Sequence, residues 1–226
     1  MLTISIGARC AEVLFLQRML NKRGASPQVA EDLDFGTLTK EAVVAFQRSH
    51  SITPPNGTVD ARTWNALGLA VETSHNVRLR GQTTDMSCWS AAATMILGNV
   101  SVGQGLAHTG PTGGLSQDID NIDTFLRGLG WSLINNQTAP PASTLIAGLA
   151  RGPLWLAFEG GSFKHAVVAS AIYSDRSDDG TVIRIHDPWP RPSGTLYAST
   201  YRDGRIQVKS VSPPRVAVVQ YAASAR

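Results

Sequence analysis

The strongest constraint on the fold lies between Pro153 and Tyr221. Six short runs there (153–158, 165–173, 181–186, 194–200, 205–211 and 215–221) are rich in β-branched and aromatic residues, which suit a pleated surface. Asp178-Asp179-Gly180 stands between two of them as a hairpin turn signal. The preceding stretch spaces its apolar residues as helices do, over 89–98, 116–130 and 142–151. Ser116 is expected to cap the second of these, with Asp118 and Asp120 favourably placed in its first turn. Gly103 to Gly114 is glycine-rich without a phosphate-loop pattern and reads as an exposed loop. Helices first and strands afterwards predict an α+β domain with an antiparallel sheet. With 42% hydrophobic and 16% charged residues, the 226-residue chain can bury a real core, as one large domain or two small ones.

Residues 1–70 read as a separate helical unit. Val13, Leu14, Leu16, Gln17 and Leu20 recur at helical spacing, and Gly24 fits the helix end. Thr37 is the expected cap of a second helix carrying Leu38, Ala42, Val43 and Phe46. Pro54-Pro55-Asn56-Gly57 breaks the chain, and Asp60 can cap a short third helix with Trp64 and Leu67. Residues 71–80 are polar and read as a linker, so that the second domain spans 81–226.

The first unit resembles the three-helix peptidoglycan-binding domain of bacteria. The resemblance is carried by Gly7, Leu16-Gln17, Phe35-Gly36, Thr39, Ala42-Val43, Phe46-Gln47, Asn56-Gly57, Val59, Thr63-Trp64 and Leu67. It implies a small helical fold and peptidoglycan as a partner. One departure is Asp32-Leu33-Asp34-Phe35-Gly36, where the family usually has Asp-Gly-x-Phe-Gly in a loop expected to line the glycan groove.

Chemistry concentrates in the second domain. Cys88 sits where the polar loop from Gln82 gives way to a helix-forming run, and a helix N-terminus favours a thiolate. His165 opens a strand, and its ring can face a cleft between the helical and sheet halves. Asp187 ends the next strand along, so a hairpin from 165 to 187 would bring it beside His165 as the orienting acceptor of the imidazole. The Gln82 side-chain amide and the Cys88 backbone N–H are candidate oxyanion donors. These are the parts of a cysteine-nucleophile hydrolase. His186 is the decoy, because strand alternation points it away from Asp187. Cys10 lies in an apolar helical pattern and packs as a small hydrophobe.

Gln82 with Cys88-Trp89, then His165-Ala166-Val167, then Asp187 with Trp189, in that order, resembles the papain superfamily. The resemblance implies that Cys88 is the nucleophile, His165 the base, Asp187 the orienting residue in place of the more usual Asn, and Gln82 the oxyanion glutamine. Trp189 corresponds to the tryptophan that shields the His–Asn/Asp contact. The short catalytic segment is nearest to the compact bacterial members of that superfamily, such as leader-peptide-processing transporter domains and secreted plant-pathogen effectors.

The expected activity is hydrolysis of peptide bonds in a protein or peptide substrate through an acyl-enzyme, targeted to the bacterial cell wall, as an exported effector or toxin with an immunity or inhibitor protein as a further partner. The alternatives are a peptidoglycan amidase or endopeptidase, although the Asp-Cys-Ser-Gly motif of one common group is absent, and a catalytically inactive wall-binding protein. No Cys/His spacing fits zinc, and neither metal nor cofactor is expected. The net charge of +3 is scattered singly, which argues against nucleic acid. No run reaches membrane-span length and no Sec-type signal peptide is visible, so a specialised export route is expected. Two cysteines are too few for a disulfide framework.

Overall fold

The computed structural model describes residues 2–98, 109–116, 118–135, 138–160 and 163–225. His108 and most of the glycine-rich loop from Gly103 lie outside the described residues.

Three helices open the chain: α1 (Ala11–Lys22), α2 (Thr37–Ser49) and α3 (Ala61–Leu67). Two buried glutamines clamp the loops between them. Gln17 donates to Asp32 Oδ1 at 2.7 Å and accepts from the backbone N–H groups of Asp32 and Leu33. Gln47 donates to the Thr58 carbonyl at 2.7 Å and accepts from Gly57 N–H. A buried amide satisfied on both ends fixes a loop that apolar packing alone would leave loose. Leu33, which stands where the resemblance expects glycine, keeps the left-handed backbone that glycine would supply, at φ 66°. The substitution therefore changes the side chain of that loop and not its path. Asp60 caps α3 as expected, accepting from Thr63 N–H at 2.9 Å. The cap of α2 is Gly36, with Thr37 already the first helical residue.

Two further helices, α4 (Cys88–Leu97) and α5 (Ile119–Gly128), precede α6 (Ala142–Leu149). Asp118, not Ser116, caps α5, its carboxylate accepting from Asn121 N–H at 2.8 Å; a carboxylate there also meets the positive end of the helix dipole. The strands are β1 (Val71–Ser74), β2 (Trp131–Leu133), β3 (Leu154–Gly160), β4 (Phe163–Ser174), β5 (Thr181–Asp187), β6 (Thr195–Arg202), β7 (Arg205–Val208) and β8 (Arg215–Ala225). All pairings are antiparallel. The order β4-β3-β8-β7-β6-β5, with β5 returning to pair with β4, closes the sheet into a barrel. Closure leaves no open edge among those six strands. β1 adds on beside the far end of β4, so residues 71–74, read from the sequence as linker, are part of the sheet.

Three cores follow from this. Leu156, Phe158, Val167, Ile185, Tyr197 and Val219 fill the barrel. Trp89, Phe125, Trp131, Trp155, Ala166 and Val168 pack α4 and α5 on its outside. The third core is shared between the helical bundle and the barrel: Phe15, Leu16, Met19 and Trp64 pack with Ala171, Tyr173, Val182 and Ala198. Helix α1 is therefore apolar on two faces, one for its own bundle and one for the outer surface of β4–β6. Polar contacts seal the seam. Lys22 Nζ donates to Asp175 Oδ2 (2.8 Å), Ser177 Oγ (2.7 Å) and Asp179 Oδ1 (2.7 Å) in the β4–β5 turn. Arg18 donates to the Asp179 carbonyl, and Tyr173 OH to Glu12. Among the described residues no helix is long and apolar enough to cross a membrane.

Candidate active site

The Cys88 thiol sits at the first residue of α4. The helix is held by the tryptophan that follows. Trp89 is buried, its indole N–H donates to the Gly113 carbonyl, and its own carbonyl accepts from Trp155 Nε1. Its ring meets Phe125 edge-on at 5.2 Å. Cys88 itself stays partly exposed, at a terminus whose backbone N–H groups lack intrahelical acceptors and whose dipole favours an anion.

His165 lies near the start of β4, paired in register with Phe158 of β3. It shares the inward face of the barrel with Phe158, whose ring lies 5.5 Å away. Asp187 ends β5 on the same inward set, and His165 Nε2 meets its Oδ1 at 2.6 Å. Cys88 lines the same hollow as His165. Burial alone would push the imidazole toward neutrality. The hydrogen bonds to Asp187 and Cys88, with the negative charge each brings, outweigh it and raise His165 to about 10. The site therefore favours the imidazolium form of His165.

Asp187 is fully buried and accepts from four donors. Oδ1 takes His165 and the Trp189 backbone N–H at 2.8 Å; Oδ2 takes Ser210 Oγ at 2.7 Å and Tyr197 OH at 3.3 Å. Burying a carboxylate is costly without such hydrogen bonds. Tyr197 and Ser210 were not singled out from the sequence. The signal for Tyr197 is the register: Asp187 pairs with Thr195 and Ile185 with Tyr197, so Tyr197 is the diagonal neighbour of Asp187 on one face. Nothing in the sequence marks Ser210, which follows β7.

Gln82 is buried behind the loop that leads to Cys88. Its backbone N–H donates to the Pro188 carbonyl, tying that loop to the turn after Asp187. Its Nε2 donates to the carbonyls of Thr84 and Asp85 at 2.8 and 3.0 Å, so both amide hydrogens are engaged, while Oε1 is buried without a partner. The amide expected as an oxyanion donor braces the 83–87 loop in this structure. Gly81 is required beside it, because a Cβ there would lie 1.9 Å from the Pro192 carbonyl oxygen.

The other candidates separate cleanly. His186 points outward, against Ser170 at 2.8 Å, a residue at the bulge in the β4–β5 ladder. Burial and the nearby Arg184 charge hold it down at about 4, neutral and away from the cleft. Cys10 is pushed up to about 11 by burial and by Glu12; it is a protonated packing residue. Trp189 is half-buried and lines a hollow together with His165. Among the described residues no group of three or more His, Cys, Asp or Glu side chains is arranged to hold a metal ion.

A three-helix bundle joined to a helical layer on a closed antiparallel barrel is the architecture of a small helical module followed by a papain-type domain. The chain belongs to the family of the papain-like cysteine protease AvrRpt2, whose model matches residues 71–202, and residues 10–67 match the model of a peptidoglycan binding domain. Among solved structures, the crystal structure of Burkholderia AP3 phage endolysin is similar at 36% identity, over 29% of this chain and 24% of that one, with a TM-score of 0.28. The matched part is thus about a quarter of the endolysin. No curated protein matches the chain.

Proposed function

We propose that the protein hydrolyses peptide bonds through Cys88, His165 and Asp187, and that its N-terminal domain delivers it to peptidoglycan in the bacterial envelope. The observation that supports this reading is His165 held on the buried Asp187 carboxylate, in the wall of the hollow that Cys88 also lines from the tip of α4. The Cys88 thiolate attacks the peptide carbonyl. The oxyanion forms against the Cys88 backbone N–H, joined by Gln82 Nε2 once the substrate oxygen competes with the Thr84 or Asp85 carbonyl; catalytic hydrogen bonds commonly tighten only with substrate bound. The His165 imidazolium then gives its proton to the leaving amine, and the acyl-enzyme forms. In the second step neutral His165 takes a proton from water, which attacks the thioester and frees the acid and Cys88. Asp187 keeps the ring oriented through both steps.

The test is labelling by an epoxide inhibitor of papain-like enzymes, read by peptide mapping. Wild type should label at Cys88 alone and Cys88→Ala not at all; a folded wild-type protein that stays unlabelled would support a wall-binding role instead. Digestion of a protein mixture and of purified sacculi, run in parallel, identifies the target. New muropeptides without protein cleavage would replace the proposed substrate with the wall peptide.

A further inference from the structure

Two hollows flank His165. One, of about 230 Å³, has Cys88 in its wall together with Trp89, Leu115, Ile122 and Trp155. The other, of about 260 Å³, is walled by Phe163, His165, Trp189, Val208 and Arg215 and does not include the sulfur; Lys164 borders both. In the proposed reaction the acyl portion becomes bonded to Cys88, while the amine that leaves must receive its proton from His165. The hollow that touches the imidazole and not the sulfur is therefore on the leaving side.

Its charge is one-sided. Arg215 lies with its guanidinium 5.6 Å from the centre of the Phe163 ring, which holds it over the hollow. Among the described residues neither Arg215 nor Lys164 has a carboxylate within ion-pair distance. Glu159 is Lys164's cross-strand neighbour but makes no ion pair with it. The one acid in the wall, Asp85, is taken up by Arg191 at 2.6 Å. His165 adds a third positive charge when protonated.

We infer that this hollow selects substrates carrying an aspartate or glutamate side chain within the first two residues after the scissile bond, with Arg215 and Lys164 as the specificity-determining cations. The inference rests on the cysteine-peptidase reading. It is tested with a proteome-derived peptide library digested by the full chain, by Arg215→Glu and by Cys88→Ala, with cut sites read by mass spectrometry. Both cations are exposed, so the expected preference is modest: acidic residues enriched about fivefold after the cut by wild type, and the preference abolished or turned toward Lys and Arg in Arg215→Glu. Arg215→Gln, a gentler change at the exposed start of β8, should lower the enrichment in the same direction. Cys88-dependent cuts without acidic enrichment, or enrichment untouched by either Arg215 variant, would overturn this inference and leave the peptidase standing. A library left uncut except as by Cys88→Ala would overturn both.

Discussion

Replacing Asp187 by asparagine isolates the charge of the carboxylate from its shape. The rise of His165 from 6.5 to about 10 corresponds to a net preference for the imidazolium on the order of 5 kcal/mol, left after Asp187 and Cys88 have outweighed the opposing effect of burial. Asparagine can keep the contacts. Its Oδ1 faces the two nitrogen donors, His165 and Trp189 N–H, and its Nδ2 faces the Tyr197 and Ser210 hydroxyls, which can turn to accept. The fold should therefore hold while one negative charge is lost, lowering the imidazole by roughly 1–3 pH units. Because the raised pKa favours the charged form, the imidazolium is present below it and is lost as pH rises through it; in wild type that loss falls near pH 10. The assay is the pH dependence of Cys88 alkylation by iodoacetamide, read by peptide mapping. The step at which the thiolate loses its imidazolium partner should lie near 10 in wild type and well below it in Asp187→Asn. An unmoved step in a folded variant would refute the claim that the carboxylate holds the charge on His165. Asp187→Ala is the contrasting case: it strands several buried donors and should cost about 3–5 kcal/mol of stability.

Other outcomes follow from the same geometry. Iodoacetamide at neutral pH should modify Cys88 and spare Cys10, which burial and Glu12 hold as a thiol up to about 11; equal labelling of both in native protein would contradict the assignment. Lys22→Ala should lower stability by about 1 kcal/mol, seen as a reduced urea midpoint, with the difference shrinking at high salt. Asp175 and Asp179 are depressed below 3.8, Asp179 to about 2, with Lys22 a cause of both. Their contribution is thus present above the ordinary carboxylate range and lost as pH falls toward 2, and the wild-type advantage over Lys22→Ala should fade in acid. Gly81→Ala forces the 81–82 backbone off Pro192 and should cost on the order of 1–3 kcal/mol, measured by thermal melting, with Cys88 labelling slowed; an unchanged melting temperature would contradict the close packing at that point.

What could be read from the sequence was whatever local chemistry declares. The strand runs, the Asp178-Asp179-Gly180 turn and the placement of Cys88 at a helix start are decided by neighbours a few residues away. The pairing of His165 with Asp187 was legible because a single hairpin joins them, and His186 could be set aside by alternation alone. The missing parts are decided by distant partners. Tyr197 and Ser210 reach Asp187 through barrel register and closure, which no local pattern encodes. Residues 71–74 look like linker because β1 has one exposed face; their partner, the far end of β4, lies about a hundred residues on. The engagement of Gln82 with Thr84 and Asp85 is a matter of side-chain rotation within a loop. One clue was present and unused: Phe15 and Met19 lie off the apolar stripe of Val13, Leu16 and Leu20, and a helix greasy on both sides needs a second surface to bury against.

That second surface has a mechanical consequence. With Phe15 and Met19 sunk against the outside of the barrel, and Lys22 bolting the far end of the same helix to the β4–β5 turn, the anchoring module cannot swing on a leash. In the proposed function, a bundle gripping the wall fixes the cleft in one direction at one height above it. Targets are then sorted by whether they come within that fixed reach, as much as by the residues they carry.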